Sequence, residues 1–266
     1  MRIILSFSLG ILLWSCTAPP AQESDAWEGE WVDLTYPFDE QTIYWPTADK
    51  FRLDTVSEGL TDKGYYYSAF EFCAAEHGGT HLDAPVHFAE GKQAMDEIPI
   101  DRLIGDAVVL DVSEKALKNQ DYLINVADFE EWELENGPLP NDAIVLLKTG
   151  YGQYWPDREA YMGTAEIGPE AVAKLHFPGL DPNAAQWLVD QRKIKAIGLD
   201  TPSIDYGQST LFESHQILFK ADIPAFENVA NLDALPSKGS KVIALPMKIK
   251  DGSGGPLRIV ALVGGE

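Results

Sequence analysis

The hydrophobic positions of this 266-residue chain fall into short runs rather than long helical stripes. Three runs are apolar at almost every position: residues 107–112 (AVVLDV), 143–148 (AIVLLK) and 196–199 (AIGL). Runs this short, without polar alternation, read as strands buried on both faces. Residues 242–245 and 257–263 add two more strands around DGSGGP at 251–256. That segment lacks the Gly-Lys-Ser/Thr ending of a phosphate loop and reads as a tight turn. Nearer the N-terminus, residues 31–36, 51–56 and 64–73 (GYYYSAFEFC) are also strand-like. The last of these leads straight into a polar loop, as expected of a buried strand that feeds a site. Helical signals are fewer. Asn125 or Asp128 can cap a helix that runs through Leu134 and ends at Gly137-Pro138. Pro169 opens a short helix to Leu175, and Asp181-Pro182 starts one that reaches about Gln191. Strands with a few helices, without regular βα alternation, predict a single α/β or α+β domain on a mixed β-sheet over residues 31–266.

The pattern breaks at residues 76–88, which read EHGGTHLDAPVHF. Three of the chain's five histidines, His77, His81 and His87, lie here with Asp83, and His215 and Glu227 follow far downstream. Imidazole and carboxylate donors without a thiolate suit zinc, manganese or iron. Four-residue spacing would place His77 and His81 on one helical face, but Gly78, Gly79 and Pro85 oppose a helix. The stretch predicts an irregular loop running into a short extended segment, on which His81 and Asp83 share a face. No Glu follows His77, which excludes the HExxH helix of zinc proteases.

HGGTHLDAPVHF resembles the metal-binding signature of the cyclase family, H-x-G-T-H-x-D-x-P-x-H, a family that includes bacterial kynurenine formamidases and isatin hydrolases. The resemblance extends to Leu34-Thr35, Tyr44-Trp45-Pro46, IGLDTPSIDYG at 197–207, the segment carrying His215 and Glu227, and the final strand pair. Thr47 departs from it, because many relatives have Gly after Trp-Pro. The resemblance implies the swivelling β/β/α fold and a homo-oligomer. It also implies a metal-dependent hydrolase of a carbon–nitrogen bond in a non-peptide amide, here an aryl formamide. Cyclic amides or lactones of the isatin type are the alternative substrates, and a non-catalytic surface metal- or ligand-binding protein is the competing class. The implied metal ligands are His77, His81, Asp83, His215 and Glu227. His87 is the acid–base residue, with a further ligand as its other reading, and Trp45 contacts substrate. Five ligands exceed the three of a tetrahedral catalytic zinc. The expectation is therefore one or two Zn²⁺ or Mn²⁺ ions per chain, with Asp83 or Glu227 bridging if there are two.

Other residues carry weaker signals. Asp200, Ser203 and Asp205 follow a strand end and can line the site, whereas His176 lies outside the motif spacing and reads as structural. Tyr44, Trp45, Tyr65–Tyr67, Tyr151, Tyr154 and Trp155 together suggest a flat aromatic substrate held by ring contacts.

Charge and the N-terminus narrow the partners. A net charge of −22 leaves out nucleic acid and anionic membrane surfaces as electrostatic partners. With two cysteines, Cys16 and Cys73, the chain has no disulfide framework. Cys73 reads as a small buried hydrophobe. Arg2, the apolar run 3–13 and Leu-Trp-Ser-Cys at 13–16 form an export signal that resembles a bacterial lipoprotein box. Residues 1–15 are then the signal, Cys16 the lipidated first mature residue, and 16–30 an acidic tether. The expected location is that of an exported lipoprotein, in the periplasm or at the outer-membrane surface, touching membrane only through Cys16.

Overall fold

The longest apolar runs become the central strands. The computed structural model describes residues 28–264. The expected export signal, Cys16 and most of the tether lie outside the described residues. The strands are β1 (Glu30–Asp33), β2 (Arg52–Leu60), β3 (Tyr66–Cys73), β4 (His81–Asp83), β5 (Ile104–Asp111), β6 (Leu123–Ile124), β7 (Ile144–Lys148), β8 (Gly179–Leu180), β9 (Ala196–Leu199), β10 (Ala225–Glu227), β11 (Lys238–Pro246) and β12 (Gly254–Val263). The helices are α1 (Ser113–Ala116), α2 (Val126–Asn136), α3 (Arg158–Met162), α4 (Pro169–Val172), α5 (Pro182–Trp187) and α6 (Glu213–Lys220). None of them is long and apolar enough to cross a membrane, among the described residues.

The main sheet has the order β1-β12-β11-β5-β7-β9-β10-β4, and β4 pairs back onto β12. Seven strands thus close into a ring, which β1 flanks outside β12. β5, β7, β9 and β10 are parallel, and the remaining pairs are antiparallel. Strand alternation sorts the side chains into two layers. Leu82, Val109, Ile144, Leu146, Ala196 and Phe226 fill the inside of the ring. Val108, Leu110, Val145, Leu147, Ile197 and Ala225 face outward, under Phe129 and Trp132 of α2, Ala184 and Ala185 of α5, and Leu218 and Phe219 of α6. The continuous apolar runs follow from this arrangement, because these strands are covered on both faces.

Local signals are obeyed where their chemistry is local. Asn125 caps α2 in a capping box with Asp128, and Gly137, at φ 82°, ends the helix. Asp181 caps α5 with Pro182 in the first turn, and the helix widens into a π-turn over Leu188–Arg192. The last two strands are longer than their apolar centres. α6, which carries His215, has no cap signal in the sequence, and its N-cap is Phe212 in a left-handed conformation.

Two expectations need correction. The aromatic strand before the metal loop is not buried: among the described residues, β2 and β3 pair only with each other and project as a two-stranded arm. Leu53, Leu60, Tyr66, Phe70 and Phe72 share one face of that arm and are all exposed. Cys73 is exposed as well, at the base of the arm opposite Arg52.

Candidate metal centre

The register of β4 against β10 builds the site. Glu227 lies directly across from His81, and Ala225 from Asp83. Leu82 and Phe226 point into the ring, so His81, Asp83 and Glu227 point the other way, toward α6. His81 and Asp83 share a face, as their spacing predicts. Gly78 is needed on the approach: a Cβ there would lie 2.0 Å from the Tyr44 ring, and Tyr44 bridges to Gly78. That contact brings Trp45 beside the loop. Pro85 opens a single 3₁₀ turn, Pro85–His87, which turns His87 back so that its ring stacks on His77 with centroids 3.8 Å apart. α6 then supplies His215.

All seven residues singled out as site residues, Trp45, His77, His81, Asp83, His87, His215 and Glu227, line one cavity of about 300 Å³. Asp83 sits at its centre, with Oδ1 2.6 Å from His77 Nδ1 and 3.1 Å from His81 Nε2, and Oδ2 3.4 Å from His215 Nε2. Glu227 Oε1 lies 3.1 Å from His215 Nε2, and Oε2 lies 3.4 Å from His81 Nε2. Two overlapping donor groups result, His77–Asp83–His87 and His81–Asp83–Glu227, with Asp83 common to both.

The protons show what this arrangement needs. His81 Nδ1–H donates to the Gly79 carbonyl at 2.9 Å, so in the neutral imidazole that a metal ligand must be, Nε2 carries the lone pair. That buried nitrogen has no hydrogen-bond partner and faces two carboxylates. A buried acceptor turned toward acceptors costs about 1–3 kcal/mol if nothing positive lies between them. His215 repeats the pattern. Its Nδ1–H donates to Asp205 Oδ2 at 2.6 Å, which turns Nε2 toward Asp83 and Glu227. Burial alone would lower the His81 pKa, but Asp83 and Glu227 outweigh it and raise it to about 9. His215 is likewise raised, by Asp205, Asp83 and Glu227 against burial. Burial and the neighbouring Asp83 charge raise Glu227, whereas the histidines hold Asp83 well below the usual carboxylate range despite burial. The carboxylates therefore favour positive charge at His81 and His215, and a divalent cation between these groups would take the place of the protons. These residues fit a divalent cation held by nitrogen and oxygen.

His87 is different. Burial, reinforced by the neighbouring histidines, lowers its pKa to about 4 in spite of Asp83. It is a neutral imidazole at neutral pH, with its ring at the cavity wall.

The weaker candidates divide. Ser203 lines the cavity, and Asp205 orients His215. Asp200 is buried elsewhere, accepting from Thr149 N and Oγ1 and from Gly150 N. His176 pairs with Asp121 at 2.8 Å, away from the site. Trp155 stacks on Tyr36 at 4.2 Å. Tyr151, Tyr154 and Trp155 belong to a cluster behind Trp45 and do not line the cavity. Phe88 and Phe212, which the sequence did not single out, do line it. Phe212 meets Trp45 at 6.3 Å and Phe88 at 5.2 Å. The signal available for Phe88 was its place directly after His87.

Comparison with known proteins agrees with this geometry. A family model described as putative cyclase matches residues 32–206. An isatin hydrolase of Roseibium aggregatum is 32% identical over 80% of this chain and 81% of its own length. A kynurenine formamidase of Bacillus cereus is 30% identical over 87% of this chain and 96% of its own length. The solved structure of isatin hydrolase A from Labrenzia aggregata bound to benzyl benzoate superposes with a TM-score of 0.79, at 32% identity, covering 89% of this chain and 94% of that one.

Proposed function

This chain belongs to the cyclase family, and on that premise we propose that it is a metal-dependent hydrolase of an amide carried on, or fused to, an aromatic ring. The observation that carries the reading is the bare His81 Nε2, buried between Asp83 and Glu227. An aryl formamide is the first substrate class. The likeness to isatin hydrolases in sequence and structure favours fused cyclic amides as a second.

His77, His81, Asp83, His215 and Glu227 would hold Zn²⁺ or Mn²⁺, with Asp83 placed to serve two ions. A divalent ion there would supply water with its pKa lowered to about 7, activated at neutral pH, and would polarise the amide carbonyl. The protein residues do the rest. Neutral His87 accepts the proton of the attacking water. The surroundings that disfavour its charge then make it a ready donor to the leaving nitrogen. Trp45, Phe88 and Phe212 form an apolar wall that excludes water and suits a planar ring.

The chain is further proposed to act as a homo-oligomer. The exposed apolar face of the β2–β3 arm supports this, since a two-stranded ribbon is marginally stable alone in water.

The test joins metal to substrate. Protein purified without chelator should contain one or two zinc or manganese ions per chain, and His81→Ala should lose both metal and activity. Values of kcat/KM are then compared for an aryl formamide, isatin and an aliphatic formamide, with Trp45→Ala alongside. Fully active metal-free protein refutes the metal. An aliphatic winner, or a Trp45→Ala variant unchanged on all three, refutes the aromatic pocket.

A further inference from the structure

The turn between β11 and β12 reaches back to the metal loop. Ser253 donates twice to Glu76 Oε2, from its backbone N at 3.1 Å and from Oγ at 2.6 Å. A hydroxyl has one proton, so once it is given to Glu76 the Ser253 oxygen is an acceptor toward its remaining neighbour. That neighbour is His77 Nε2, at 3.0 Å. Nε2 must then carry a proton, which in the neutral imidazole that a metal ligand must be leaves Nδ1 with the lone pair. Nδ1 faces Asp83 Oδ1 at 2.6 Å.

The turn is shaped to this contact. A Cβ at Gly254 would lie 2.4 Å from His77 Cε1, and one at Gly252 would lie 2.9 Å from Glu76 Oε1. Side chains at either position would push the imidazole or the carboxylate away. The glycines of DGSGGP therefore have a role beyond closing a hairpin.

We propose that Glu76 and Ser253 are positioning residues that fix His77 as an Nδ1 donor to the metal, through the relay Glu76–Ser253–His77. Partners that set the tautomer and orientation of a metal-bound histidine commonly govern affinity as strongly as this geometry suggests. The inference rests on the metal-centre reading above and adds which nitrogen binds and what makes it bind.

Full-length protein, stripped of metal and titrated with Zn²⁺ against a chromophoric chelator, tests it. Long-range ¹H–¹⁵N spectra of the histidines in the Zn²⁺-loaded wild type read the tautomer directly. The expected spectrum shows His77 protonated at Nε2 and metal-bound at Nδ1. Ser253→Ala and Glu76→Ala should each weaken Zn²⁺ binding by about 10- to 100-fold, and Ser253→Thr, which keeps the hydroxyl, should restore most of it. If a variant fails to fold, the wild-type spectrum still decides. A His77 proton on Nδ1, or variants that bind Zn²⁺ as the wild type does, overturns the relay while leaving the metal centre intact. A wild type that binds no Zn²⁺ or Mn²⁺ overturns both.

Discussion

His215 Nδ1 and Asp205 Oδ2 are joined across 2.6 Å, and the same carboxylate accepts the backbone N–H groups of His215 and Ser214 at 3.1 Å. Asp205 thus anchors the first turn of α6 and fixes which nitrogen of His215 faces the metal ligands. Asp205→Asn keeps the shape but replaces an acceptor with a group able to donate, which permits the wrong tautomer. Metal affinity should fall by about 10- to 100-fold, measured by chelator competition. Unchanged affinity would remove Asp205 from the centre.

His87 is neutral in the folded protein because burial and three nearby histidines disfavour its charge. As the acid–base group, its replacement by Ala should lower kcat by about 10²- to 10⁴-fold with metal content near that of the wild type. Its closeness to His77 and Asp83 makes elemental analysis the deciding measurement. If the metal leaves with the side chain, His87 is a ligand.

The β2–β3 arm presents Leu53, Leu60, Tyr66, Phe70 and Phe72 on one exposed face. Charges there should oppose association without touching the catalytic groups. Phe70→Glu combined with Phe72→Glu should shift the protein to monomer in light scattering coupled to size exclusion. A wild type that is already monomeric, or a variant that keeps its mass, would refute the proposed oligomer.

Cys16 is the proposed lipid attachment point of an exported protein. A Cys16→Ala form expressed in a bacterial host should move from the detergent phase to the aqueous phase on extraction. Continued partition into detergent would rule out an anchor at Cys16.

What the chain settled by itself is the chemistry that is close in sequence. His77, His81, Asp83 and His87 lie within eleven residues, so their spacing, the glycines and Pro85 suffice to predict an extended, metal-competent loop. The apolar runs of β5, β7 and β9 and the caps of α2 and α5 are legible for the same reason: propensity, capping and burial on both faces act over a few residues. His215 and Glu227 were reachable only through family resemblance. What makes them neighbours of the loop is the β4–β10 register, which sets Glu227 opposite His81, and the placement of α6, which brings His215 to Asp83 and Glu227. The strand period of two states which residues share a face, but not which strand lies alongside or what covers that face. Hence the aromatic arm read as a buried strand, although its apolar face is exposed among the described residues. Hence, too, Ser253 and Glu76, 177 positions apart, read as turn and loop residues until the closed ring brought them to His77.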